Sequence, residues 1–197
     1  MESSSEIYLI VGLGNPGKKY EKTRHNAGFL SVGALAEKWG WSYKKSLKLK
    51  GWLAKGVIED KHVVLLLPAT YMNLSGESVG CVVDYFAVKT SHLLVVVDDV
   101  YTPFGELRMR QKGSCGGHKG LQNIEMVLGT QDYTRLRIGI GDRTEGSLED
   151  YVLTSFSLSQ AKELPQILQE SVEVIELWIK EGMNPAMNRA NRSRKKI

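Results

Sequence analysis

Cysteine is scarce. The 197 residues include two, Cys81 and Cys115, and neither belongs to a CxxC pair or lies near a second soft ligand, so a disulfide framework and a structural zinc site are not expected. Long apolar runs are lacking as well. The longest, Leu93 to Val97 and Val63 to Leu67, are strand-length and far below the roughly 20 residues that cross a bilayer, which excludes a transmembrane helix. Met1 to Glu6 has neither the basic start nor the apolar stretch of a secretory signal, so a soluble, cytoplasmic protein is expected. No internal repeat or low-complexity segment occurs.

Carboxylates are absent from three stretches that are otherwise basic. Lys38 to Ile58 has six lysines and no acid, and Leu107 to Ile124 has Arg108, Arg110, Lys112 and Lys119 and no acid. The last nine positions hold Arg189, Arg192, Arg194, Lys195 and Lys196; outside them 21 basic residues nearly cancel 22 acidic ones. Local positive blocks of this kind suit a polyanion, with a solvated face as the bland alternative.

Hydrophobic content of 42% over this length supports one core and one domain. Residues 1–188 are expected to form it, leaving 189–197 as a basic tail for which a disordered end is at least as good a reading as contact with a polyanion. Ile7 to Val11 reads as a buried strand that stops at Gly12. Helical spacing covers about Ala27 to Trp39, strands are expected at Trp52 to Ile58 and His62 to Leu67, and a helix runs from near Leu74 to Phe86. Leu93 to Val97 is the clearest strand. A further helix starts after Gly116-Gly117, a strand follows at Leu136 to Ile140, and Gln160 to Lys180 carries one apolar stripe, as a long amphipathic helix requires. Strands alternating with helices predict an α/β fold, a twisted mixed and largely parallel sheet flanked by helices.

In such sheets, ligands bind where loops leave the carboxyl ends of strands, and the chemically interesting residues follow strands: Asn15, Asn73 and Asp98. Gly12-Leu13-Gly14-Asn15-Pro16-Gly17 formally matches the dinucleotide fingerprint, but Pro16 and the polar Lys18 to Lys22 stand where a helix should begin, and no ribose-binding acid follows at the right place. Cofactor binding is therefore not expected. His25 precedes an apolar helix, and the pair Asp98-Asp99 ends a buried strand, where an unpaired charge is costly. An imidazole N–H is the natural partner for such a carboxylate, and the two together form a base and its orienter. Water is then the expected nucleophile, with Cys115 as a minor alternative.

The segments GLGNPGKKY, TRHNAGF, PATYMNLSGESV, VVVDDV, GGHKGLQ and RLRIGIG, in this order and spacing, resemble the bacterial-type peptidyl-tRNA hydrolase family from Ile7 to about Arg189. The resemblance implies a monomeric hydrolase without cofactor or metal, acting on the ester that joins a peptide to the terminal adenosine of tRNA, and recognising the acceptor stem. Carried over position by position, His25 resembles the general base and Asp98 its orienting carboxylate. Asn15 resembles the amide that separates blocked from free aminoacyl esters, and Asn73, after Met72, the residue that binds the acceptor end and helps place water. Tyr20 and Tyr71 fit positions that pack on the terminal nucleotide, Arg110 and Arg135 fit positions associated with the 5′-phosphate, and Asn26 and His118 complete the substrate site. Lys119 departs from the pattern, since the family commonly has asparagine there. Two rivals remain: a non-catalytic RNA-binding adaptor, which needs no base and orienter, and a general small-ester hydrolase, which leaves the basic blocks unexplained.

Overall fold

The computed structural model describes residues 6–141 and 146–192. Its sheet has seven strands: β1 (Ile7–Gly12), β2 (Lys44–Ser46), β3 (Gly51–Ile58), β4 (Lys61–Pro68), β5 (Leu93–Asp99), β6 (Leu107–Arg110) and β7 (Thr134–Gly139). They lie in the order β2-β3-β4-β1-β5-β7-β6. The four central strands are parallel, and antiparallel pairs close both edges. The mixed, largely parallel sheet expected from the sequence is therefore present.

A central parallel strand must be covered on both faces, and its side chains alternate between them. On one face, Ile10, Leu94, Val96 and Leu65 pack against helices α1 (Ala27–Lys38) and α5 (Leu158–Glu181). On the other, Leu9, Val11, Val95, Val97 and Leu66 form a second core with α2 (Ser75–Phe86) and α3 (Lys119–Leu128). The short helices α4 (Leu148–Val152) and α6 (Met183–Ala190) complete the fold. Neither they nor the short edge strands β2 and β6 carry enough apolar periodicity to be read from sequence.

Strand β5 runs through Asp98 and Asp99, so the carboxylate pair ends the strand and Asp98 sits inside the sheet. Towards the carboxyl end, α6 runs to Ala190, Arg189 pairs with Glu173, and Asn191 exchanges hydrogen bonds with both backbone groups of Met109. Arg194, Lys195 and Lys196 lie outside the described residues. No helix among the described residues is long and apolar enough to cross a membrane.

One close approach positions the turn that carries His25. Gly28, in the first turn of α1, sits so near β5 and the end of β1 that a Cβ there would lie 2.3 Å from the Val96 carbonyl oxygen and 2.5 Å from the Leu13 nitrogen. Only glycine allows α1 to start directly over the carboxyl ends of β1 and β5, which brings the 3-10 turn Arg24–Asn26 onto Asp98.

Candidate active site

A cleft of about 350 Å³ opens above the carboxyl ends of β1, β4 and β5, where an open α/β sheet presents its ligand site. Asp98 lies at its floor, 2% exposed. His25 donates from Nδ1 to both carboxylate oxygens, at 3.0 and 3.1 Å, and His118 reaches Oδ1 through Nε2 at 3.1 Å. Burial alone would push the Asp98 carboxyl up. The charge and hydrogen bonding of His25 and His118 outweigh it and hold the group well below the usual carboxylate range.

The proton positions follow from the partners. His118 caps α3, its Nδ1 accepting the Leu121 N–H at 3.3 Å, so its proton sits on Nε2, facing Asp98. An ionised Asp98 likewise fixes the His25 proton on Nδ1. Nε2 of His25 is left with its lone pair and with no protein partner among the described residues. His25 itself is held by its neighbour: Arg24 donates to Thr154 Oγ1, the Ser155 carbonyl and Gln160 Oε1, and its guanidinium stacks 4.4 Å from the Tyr151 ring. Through Gln160 this braces the turn against the capping box of α5.

His25, Asp98 and His118 are close enough to share a metal ion. The cap opposes that use, because His118 Nε2 cannot offer a lone pair while Nδ1 accepts a backbone N–H.

Asn15 follows β1, and its own backbone is clamped by Asn26, which accepts the Asn15 N–H at 2.8 Å and donates to its carbonyl at 3.0 Å. The Asn15 side-chain oxygen accepts from Met72 N–H at 2.8 Å. That donor settles the amide orientation and leaves the NH₂ for the cleft. Asn73, in the 3-10 turn after β4, is exposed on the same rim. Gly116 and Gly117 both adopt positive φ, 59° and 78°, which bends the loop before His118 along the opposite rim.

Of the residues singled out in the sequence, the cleft gathers Asn15, His25, Tyr71, Met72, Asn73, Asp98, His118 and Lys119. Four are placed elsewhere. Asn26 is 2% exposed and spends its amide on Asn15, so it supports the site from behind. Tyr20 stands outside the cleft wall with the Lys19 ammonium 4.7 Å from its ring centre. Arg110 is exposed at the end of β6. Arg135 is buried under α3, bonded to the Gln131 and Tyr133 carbonyls and to Glu125, so its guanidinium is engaged within the protein. Arg137, two residues on along β7, reaches the cleft instead. It binds the Ser114 and Cys115 carbonyls at 3.0 and 3.3 Å and lies 3.8 Å from Asp99. Lys119 is paired with Glu149 of α4 across one end of the cleft, a partner that sequence reasoning missed.

The family description for peptidyl-tRNA hydrolase matches residues 9–197. The chain belongs to the peptidyl-tRNA hydrolase family. The peptidyl-tRNA hydrolase of Gloeobacter violaceus is 45% identical over 184 residues, covering 93% of each chain, and that of Clostridium acetobutylicum is 42% identical over 94% of this chain and 98% of its own. Among solved structures, a peptidyl-tRNA hydrolase in complex with N-propanol superposes with a TM-score of 0.91 at 35% identity, covering 96% of this chain and 97% of that one. The enzyme from Acinetobacter baumannii follows at 0.90 and 36%, with the same coverage. Membership of this family makes the chain a hydrolase, and its fold is shared along nearly its whole length.

Proposed function

We propose that the protein hydrolyses the ester between a peptide and tRNA, with water as the nucleophile and His25 as general base. The observation that carries this reading is the His25–Asp98 contact: it fixes the proton on Nδ1 and turns the basic Nε2 toward the cleft. Water held at Nε2 loses a proton to it while attacking the ester carbonyl, and the terminal ribose oxygen of the tRNA leaves as the hydroxyl, taking that proton back from Nε2 as the ester bond breaks. Asn73 and backbone N–H groups of Gly116 and Gly117 are suited to meet the oxyanion, where one well-placed donor contributes about 3 kcal/mol. Asp98 accepts from two imidazoles at once, so the ion pair that forms when His25 is protonated is compensated within the site.

The Asn15 amide supports selection of a blocked amino group. Its NH₂ donates to the carbonyl of a peptide bond but opposes the ammonium of a free aminoacyl ester. Tyr71, 57% exposed at the rim, offers a face on which the terminal adenosine stacks. Arg137 and Arg110 are suited to phosphate, because a guanidinium fork matches its geometry. In this reading residues up to 188 act as one domain followed by the basic tail, and the catalytic unit is a single chain.

Release of N-acetylaminoacyl groups from tRNA tests the proposal, with free aminoacyl-tRNA as control and His25→Ala as the altered enzyme. Selective cleavage of the blocked ester, lost in the variant, is expected. If the wild type binds the tRNA and leaves the blocked ester intact, the adaptor reading replaces this one.

A further inference from the structure

The longest acid-free basic stretch, Lys38 to Ile58, contributes nothing to the cleft. The fold turns much of it into β2, the loop 47–50 and β3, and gathers several of its lysines on the face shared with α2. Leu53 of β3 joins the core on the α2 side, and Lys55, two residues on, lies with its ammonium 5.3 Å from the Phe86 ring. Lys44 is paired in register with Leu53 and therefore shares that face. Lys48 places its ammonium 4.6 Å from the ring of Tyr85, which is 56% exposed and packs edge-on to Phe86. The acids of this face are Glu77, held by Lys50 at 2.6 Å, and the exposed Asp84. Among the described residues, no carboxylate pairs with Lys44, Lys48 or Lys55.

This face is continuous with the cleft. The Lys50 carbonyl accepts the Ala69 N–H at 2.8 Å, and Ser78 donates to the Leu49 carbonyl at 2.9 Å. The lysine loop is thereby tied to the segment that leads into Tyr71 and Asn73. Helix α2 carries the surface away from that rim, reaching Tyr85 about 15 Å from its first residue at 1.5 Å per residue.

We propose that Lys44, Lys48 and Lys55, with Tyr85, form a second RNA contact that holds the phosphate backbone of the tRNA whose esterified end lies in the cleft. The inference rests on the hydrolase reading above. Unpaired like charges beside exposed rings suit a polyanion that also offers flat bases, whereas a surface selected for solubility alone intersperses both signs. Guarding the open sheet edge against pairing explains lysines on β2. It does not explain Lys48, which lies in the loop and reaches across to a ring of α2.

The test is the triple variant Lys44→Gln, Lys48→Gln, Lys55→Gln, assayed on N-acetylaminoacyl-tRNA and on the same ester carried by a CCA trinucleotide. Binding of deacylated tRNA is measured alongside. With full tRNA, KM and Kd are expected to rise about tenfold at unchanged kcat, and the slope of log(kcat/KM) against log salt to become shallower by about 2, given 0.7 to 0.9 per phosphate contact. The trinucleotide ester should be cleaved as by the wild type, which also shows that the variant is folded. Unchanged KM, Kd and salt slope overturn the inference, and aggregation with unchanged kinetics assigns the lysines to edge protection. Equal losses on both substrates overturn it too, because the effect would then arise in the cleft. A wild type that binds tRNA through these lysines yet cleaves neither ester refutes the hydrolase reading and leaves the contact standing.

Discussion

Replacing Asp98 with asparagine keeps the shape of the side chain and removes its charge, which isolates the feature on which the proposed mechanism depends. The carboxylate accepts three hydrogen bonds, two from His25 Nδ1 and one from His118 Nε2, with Oδ1 shared between the rings. An amide can accept only on one side. His118 cannot change tautomer without losing the Leu121 N–H at its Nδ1, so the amide oxygen keeps the shared Oδ1 position and the NH₂ takes that of Oδ2, 3.1 Å from His25 Nδ1. The His25 N–H then meets a donor beside its one remaining acceptor, and the charge that stabilises a protonated His25 is gone. The ring is held less firmly and its Nε2 is a weaker acceptor for the proton from water. General base catalysis contributes about 10² to 10⁴ in rate, and loss of that order is expected in kcat for Asp98→Asn. Single-turnover release of N-acetylaminoacyl groups from tRNA measures it, with tRNA affinity held as a control. A kcat within threefold of the wild type would refute both the tautomer argument and the role of His25.

Three further outcomes are expected. Asp98 has a folded pKa held below its unfolded value of about 3.9; its contribution to stability is therefore complete above that value and is lost as pH falls toward the folded one. Near-UV circular dichroism should therefore be unchanged between pH 7 and 5, and a loss of signal within that window would count against an Asp98 carboxylate held ionised by its two imidazole partners. Asn15→Asp presents an acceptor where the cleft now has a donor, and the ratio of blocked to free aminoacyl ester cleavage should fall at least tenfold, on the order of what one misplaced polar group costs. Arg137→Gln should raise KM and reduce the salt slope by about 0.7 to 0.9, whereas Arg135→Gln should leave that slope unchanged and lower the denaturation midpoint, because it disrupts a buried guanidinium network.

Much of the site was legible because its residues follow apolar strands. The runs Ile7 to Val11 and Leu93 to Val97 mark the two central strands, and the parallel rule then puts Asn15 and Asp98 at the same end of the sheet as His25. Periodicity also located α1, α2, α3 and the long α5. It failed at β2, β6, α4 and α6, which are three to eight residues long and owe their conformation to neighbours rather than to their own pattern.

The sequence by itself determined the α/β class, the central strands and the identity of a histidine and a carboxylate able to work as a pair, since these depend on local periodicity and on the cost of burying a charge alone. Only the tertiary structure decided which groups complete the pair. That His118 shares Asp98, that Asn26 bonds both backbone groups of Asn15, and that Lys119 meets Glu149 are contacts that no local pattern in the chain announces. The choice between Arg135 and Arg137 shows the reason most plainly. Two residues apart on one strand, they point to the same face with the same chemistry, and what separates them is the position of α3, which covers one with Glu125 and leaves the other at the cleft.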